Sequence, residues 1–328
     1  MKKMFIMLGV ILLLSGCGKY TDKALIKDIN KKVNSSKSYH LVGTLDIYRN
    51  EEKYSYDVDS AYSKEDLFMV DLKNKSNNHE QIILKNNEGV FVITPSLNKN
   101  FKFQSDWPYN NSQIYLLQPI ITDLSNEKDR QFKTTKNGYV ITSKVDYPTE
   151  KSYVKQKVYI DNNKNITKVE ILDENDSVKM RLKISNIDYN NKFDDNYFEA
   201  KTYQKEVEED KKEKESSKLS DVVYPMYVPE DTFLTAQDVV ETNNGERAIL
   251  TFQGDSNFTV IQETLSNVNS TDYVYGDPYL ILDTVGAITD YSVSWISNGM
   301  EYSVLSDKMN KNELISVAQS ISVAAVGK

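Results

Sequence analysis

Thiols and imidazoles are nearly missing from this chain: its 328 residues include one cysteine, Cys17, and two histidines, His40 and His79. A Cys/His zinc centre, a disulfide framework and a Cys/His nucleophile pair each need more than that, so these chemistries are excluded. Positive charge is also short, with 40 Lys and Arg against 48 Asp and Glu, a net charge of -8 and a pI near 5.1. A sequence-independent grip on phosphates needs a basic face, and this composition excludes a nucleic-acid binder. Beyond the N-terminus no segment approaches the roughly 18 consecutive apolar residues of a membrane-spanning helix. What is present suits folded domains. Hydrophobic residues make up 39% of the chain, and its length allows two domains with linking segments.

The first seventeen residues read as a lipoprotein signal peptide. Lys2 and Lys3 supply the positive start, Met4 to Leu14 an apolar run too short to span, and small residues follow. Leu14-Ser15-Gly16-Cys17 has the form of a bacterial lipobox, in which the cysteine sulfur takes a diacylglycerol and the chain is cut just before it. Cys17 is therefore the expected lipid-attachment residue and first residue of the mature chain. Two acyl chains tether stably where one binds marginally. The expected location is the extracytoplasmic face of the cell membrane. Cleavage removes two lysines and no acid, so the mature body is more acidic still and is repelled by an anionic bilayer.

Two patterned regions flank residues 205–218, where charge is dense and Val207 is the only apolar residue. Such a stretch buries too little to offset its ordering entropy, so it reads as a solvated linker between independently folding units. Ahead of it, Thr21 is placed to cap a helix whose Leu25, Ile26, Ile29 and Val33 share one face. From Ser38 the period changes to two, with Tyr39, Leu41, Gly43, Leu45 and Ile47 alternating against polar neighbours, and strands follow at 54–62, 67–72, 81–84, 90–94, 139–145, 155–160, 167–172 and 178–187. A single helix is expected within this run, at 112–124. The fold class is α+β: a large, strongly curved antiparallel sheet with helices on one face. After the linker, strands are expected at 247–252, 257–263, 287–296 and 300–305, the last two joined at Asn298-Gly299, the strongest hairpin signal in the chain. Asn310 and Glu313 form a capping pair for a terminal helix with Leu314, Val317, Ala318 and Ile321 on its apolar face. The expected organisation is signal peptide 1–16, half-barrel domain 17–200, linker 201–220 and small α+β domain 221–328.

The succession Val158-Tyr159-Ile160-Asp161, Thr167 to Asp173, Val178 to Ile184 and Phe193 to Phe198 resembles the closing strands of LolA-type lipoprotein carriers, and Gln81 to Leu84, Val90 to Pro95 and Phe101 to Phe103 also fit that family. The resemblance covers roughly residues 20 to 200. It implies an eleven-stranded half-barrel with helices filling its concave side and, among relatives, a cavity for acyl chains. The second half resembles the small domains attached to LolA-like folds in RseB-type regulators and in YdcC-type sporulation lipoproteins, to which GerS is related. The order of lipobox, LolA-like domain, charged linker and small domain is most similar to the YdcC type. That implies a role in sporulation, germination or envelope maintenance, and a protein partner such as an envelope or cortex enzyme, or an acyl chain.

No catalytic residues and no cofactor are indicated. None of the 48 acids sits at a spacing that a known mechanism demands. Asp272, Asp277 and Asp283 lack the regular spacing of a calcium loop, and His40 and His79 have no third ligand in view. Trp107-Pro108-Tyr109 and the many tyrosines fit a lipid cavity, a partner surface or plain core. The leading expectation is a non-enzymatic, membrane-tethered binding module for a protein or lipid. The alternatives are a lipid or lipoprotein carrier or an RseB-type sensor and, less favoured, a cell-wall hydrolase. Permanent attachment at Cys17 argues against a shuttle.

Overall fold

The structure is a computed structural model and describes residues 20–49, 51–96, 99–110, 112–147, 150–204, 219, 221–242, 245–265, 270–282, 284–297 and 299–326. Cys17, linker residues 205–218, Asp283 and Asn298 lie outside the described residues.

Helix α1 (Asp22–Ser35) begins where the sequence signals it, with the Thr21 hydroxyl accepting from the Ala24 N–H at 3.2 Å, and it buries Leu25, Ile26, Ile29 and Val33. Each such side chain, fully buried, contributes roughly 1.5–3 kcal/mol. Helix α2 (Leu117–Asn126) starts later than the expected 112–124. Pro119 occupies its first turn, where a missing N–H leaves no intrahelical bond unmade. Residues 112–116 run into it as a non-helical segment that buries Ile114, Tyr115 and Leu116. Arg130 ties the two helices together: its guanidinium donates to Asp22 Oδ2 at 2.9 and 3.0 Å and to the Leu124 carbonyl at 2.9 Å.

Eleven strands precede residue 200, as the LolA resemblance implies: β1 (Ser38–Arg49), β2 (Glu52–Ser63), β3 (Leu67–Asn74), β4 (Glu80–Asn86), β5 (Gly89–Thr94), β6 (Lys99–Phe103), β7 (Gln131–Thr135), β8 (Gly138–Lys144), β9 (Lys155–Asp161), β10 (Ile166–Leu172) and β11 (Val178–Tyr189). They form one curved, unclosed antiparallel sheet in the order β6 to β1, then β11 to β7. Its concave face carries α1 and α2. Gly43 is required where β1 meets β11, because a Cβ there would lie 2.4 Å from the Lys183 carbonyl oxygen. Strands β3 to β5 are buried on both faces, which is why they read as runs such as Gln81-Ile82-Ile83-Leu84 without alternation. Their outer face holds Met69, Ile82, Leu84, Phe91 and Ile93, with Ala61 of β2 beside them, under Phe198, Phe193 and Tyr197 and the 3-10 turn Ala200–Tyr203.

The second half adds β12 (Thr232–Thr242), β13 (Gly245–Gly254), β14 (Phe258–Thr264), β15 (Ser270–Val274), β16 (Asp277–Ile281), β17 (Thr284–Ile288), β18 (Ser292–Ser297), β19 (Met300–Leu305) and helix α3 (Lys311–Val326). Seven of these strands form a second sheet in the order β12-β13-β14-β19-β18-β17-β16, packed against α3. The expected strand 287–296 is two strands, since Thr289 turns the chain by bonding to the N–H groups of Tyr291 and Ser292.

The remaining strand, β15, leaves its own half and pairs in parallel with β6, extending the first sheet to twelve strands. The two halves also share core: Val285, Ala287 and Ile296 belong to the cluster built on α1, α2 and the first sheet.

Candidate functional site

The concave side of the first sheet is filled. Trp107, 1% exposed, packs edge-on against Phe68 with ring centroids 6.2 Å apart, and Tyr39, Ile114, Leu116 and Leu117 are buried in the same cluster. The aromatic run at 107–109 therefore serves the core at Trp107, while Tyr109 turns outward and donates to Asp66 at 2.6 Å.

A small space lies at the junction of the two halves, where β1, β11, the segment 112–115 and the β8–β9 connection meet β16 and α3. It is a cavity of about 60 Å³. Its lining includes Ile47, Ile114, Met180, Leu280 and Leu282, together with Tyr147 and Gln319. Arg49 and Glu150 also line it, with Arg49 Nη1 3.5 Å from Glu150 Oε2. Outside it, Arg49, Leu282 and Gln319 form a common wall with an open cleft of about 440 Å³, lined further by Met226, Tyr227, Ser316 and Ser320. Met226 is 74% exposed. Burial pushes the Tyr147 hydroxyl well above the usual phenol range, Asp123 and the neighbouring tyrosines adding to it, so this group is neutral at any physiological pH.

The singled-out acids and histidines do not converge on this cleft. Asp272 lies 2.6 Å from Lys99, which also meets Glu301 at 3.3 Å, and Asp277 accepts from Ser105 at 2.6 Å, so both serve the joint between the halves. His40 lies 2.7 Å from Asp59 on the outer face of the first sheet. His79 is pushed down by burial. Among the described residues no three His, Cys, Asp or Glu side chains are placed to hold a metal ion, and no helix is long and apolar enough to cross a membrane. Sequence reasoning missed Arg49, Tyr147 and Gln319. The only signal for Gln319 was a polar amide inside the apolar run from Leu314 to Ile321.

No family model matches the chain. It is 32% identical over 318 residues to the sporulation protein YdcC of Bacillus subtilis (strain 168), and the alignment spans 95% of this chain and 93% of that protein. The chain belongs to the YdcC family of sporulation proteins. Among solved structures, the MucA/MucB complex of Pseudomonas aeruginosa matches 90% of this chain and 96% of the other at 12% identity, with a TM-score of 0.34. A LolA superfamily protein from Nitrosomonas europaea matches 56% of this chain and 99% of its own at 12% identity, with a TM-score of 0.29. Superpositions this loose carry no functional conclusion. The YdcC family assignment rests on sequence, and the half-barrel on the strand order described above.

Proposed function

We propose that this YdcC-family protein is a lipid-anchored, extracytoplasmic binding module in sporulation or envelope biology, and that it acts by holding a protein partner in the cleft between its two sheets without chemical turnover. The observation that carries this reading is the filled concavity. Ligand pockets for small molecules run to roughly 300–1,000 Å³, whereas the space at the junction is about 60 Å³. An acyl chain does not fit the junction space, so a carrier would have to use the open cleft of about 440 Å³ beside it. The outer cleft is open and offers the exposed side chains of Met226 and Tyr227 beside Arg49, a mixture of residue types enriched where proteins meet. Anchoring at Cys17 supports a fixed station over a shuttle.

The test places a photo-crosslinking amino acid at Met226 and, as a control, at the exposed Tyr109, in sporulating cells, with lipid extraction of the purified protein alongside. A single protein adduct at position 226, absent at 109, with no stoichiometric lipid, is the expected result. Stoichiometric lipid without a position-specific adduct would overturn the reading in favour of a carrier.

A further inference from the structure

Four strands stand at sheet edges among the described residues: β7 and β15 in the first sheet, β12 and β16 in the second. A free edge offers unpaired backbone N–H and C=O groups to any other chain, and folded proteins blunt such edges by shortness, lysine or proline. Three of the four follow that rule. β7, β15 and β16 are each five residues long, β7 carries Lys133 and β16 carries Pro278. β12 does not. It has eleven residues with no Lys, Arg or Pro among them, and all but its two ends are exposed. A bulge between Leu234 and Ala236 interrupts its pairing with β13, and beyond it residues 236–242 keep an unbroken register. Val239 lies opposite the fully buried Ala248 and so shares the core side of β13, yet it is 51% exposed. Val240, on the other side, is 42% exposed. The core therefore stops at β13, and both faces of β12 keep apolar surface that a further strand would cover.

We propose that β12 is a strand-addition site for an extended segment of a partner protein in which two apolar residues stand between two basic ones. Charge selects the class. Residues 219–264 hold eight acids and one base, Arg247, which Glu263 binds at 2.7 and 3.0 Å. Asp238 and Glu241 thus flank the two valines with no base left over in this stretch. A second copy of the chain is the wrong occupant. Two β12 edges side by side would gather the carboxylates of Asp238 and Glu241 from both copies with no base on either strand, and like charges across paired strands are destabilising. An added partner strand takes up the free backbone groups of β12. Its basic side chains sit across from Asp238 and Glu241, and its apolar pair sits across from Val239 and Val240, one on each face of the sheet. No residue of β12 lines the Met226 cleft, so this contact goes beyond the reading of that cleft and does not depend on it.

The test mixes the full-length chain, in detergent, with the acetylated and amidated peptide Thr-Lys-Val-Val-Lys-Thr at up to about 5 mM, enough for a millimolar site. Amide hydrogen exchange of residues 236–242 is read by mass spectrometry. For a millimolar Kd, amides bonded to the peptide should exchange about sixfold more slowly at the top concentration. The same peptide with Glu in place of Lys should leave exchange unchanged for want of opposite charge. So should the Lys peptide N-methylated at both valines, for want of a backbone donor. In a chain carrying Asp238→Lys and Glu241→Lys the preference should invert toward the Glu peptide. No protection by the Lys peptide, or equal protection by its N-methylated form, would overturn strand addition, and equal protection by the Glu peptide would overturn the basic partner. A dimer of the full-length chain that Val239→Lys dissociates would put a second copy on this edge and overturn the proposal as well. If the double variant fails to fold, the wild-type peptide series still decides. A position-226 adduct without exchange protection overturns this proposal alone, whereas protection by the Lys peptide without any adduct supports it and overturns the cleft.

Discussion

Gln81 on β4 accepts a hydrogen bond from the hydroxyl of Thr284 on β17 at 2.9 Å, with both side chains buried and 203 positions apart in the chain. The same amide donates to the Val285 carbonyl at 2.9 Å and accepts from the Val285 N–H. One side chain in the first sheet thus satisfies the backbone of a strand in the second. Gln81→Leu is expected to lower the unfolding free energy by about 2–4 kcal/mol, since it strands buried Val285 groups in an apolar setting. Urea denaturation of residues 20–328 checks this. A loss under 0.5 kcal/mol, on the order of a neutral surface change, would mean that water replaces the amide and that the joint is looser than described.

Cutting the linker should not separate the halves. β15 pairs with β6, Tyr56 donates to the Leu282 carbonyl, Lys99 meets Asp272 and Glu301, and the core itself is continuous across the joint. A protease site inserted within 205–218 and cleaved should leave one particle by size-exclusion chromatography, with a single unfolding transition. Two separately eluting fragments would show that these contacts do not suffice without the covalent link.

Much of this was legible in the chain. The period-two run from Tyr39 to Ile47 and the helical spacing from Leu25 to Val33 became β1 and α1 because burial of one face sets each period. Other elements carried no such mark. β12 is exposed on nearly every residue, so no buried face imposes a pattern on it. β15 is five residues long and is held in part by pairing with a strand some 170 positions earlier, a partnership no local window contains. The Asn310–Glu313 capping pair formed as read, Asn310 accepting from the Glu313 N–H at 3.2 Å and Glu313 from the Asn310 N–H at 2.9 Å. The cavity was invisible for the same reason as β15: its lining from β1, the segment 112–115 and α3 comes together only through the joint between the halves.

Asp71 gives the fold a measurable pH dependence. Burial pushes its carboxyl out of the usual carboxylate range up to about 7, with Glu80 and Asp59, the latter directly opposite on β2, adding to the effect and Lys73 opposing it. Between about pH 4 and pH 7 the folded chain holds a proton that the unfolded chain has released, so this group's contribution to stability falls as pH rises through that window. Asp71→Asn stays neutral throughout. The urea midpoint of the variant minus that of the wild type should therefore move in the variant's favour between pH 5 and pH 8. A difference that does not change with pH would mean Asp71 is ionised in the fold across the whole range.

The anchor is tested apart from the fold. If Cys17 carries the lipid, Cys17→Ala leaves an uncleaved or soluble precursor that no longer takes up a fatty-acid probe, while the unfolding transition of the body is unchanged. The expectation of an unchanged body follows from the structure: the buried clusters begin at Leu25, Tyr20 is the first described residue packed against them, and α1 already has its cap at Thr21. Loss of membrane association should also cut the yield of the position-226 adduct if the partner is membrane-bound, since tethering raises the effective concentration of one for the other. Equal probe incorporation in Cys17→Ala and wild type would remove the lipobox assignment and, with it, the argument that a fixed station excludes a shuttle.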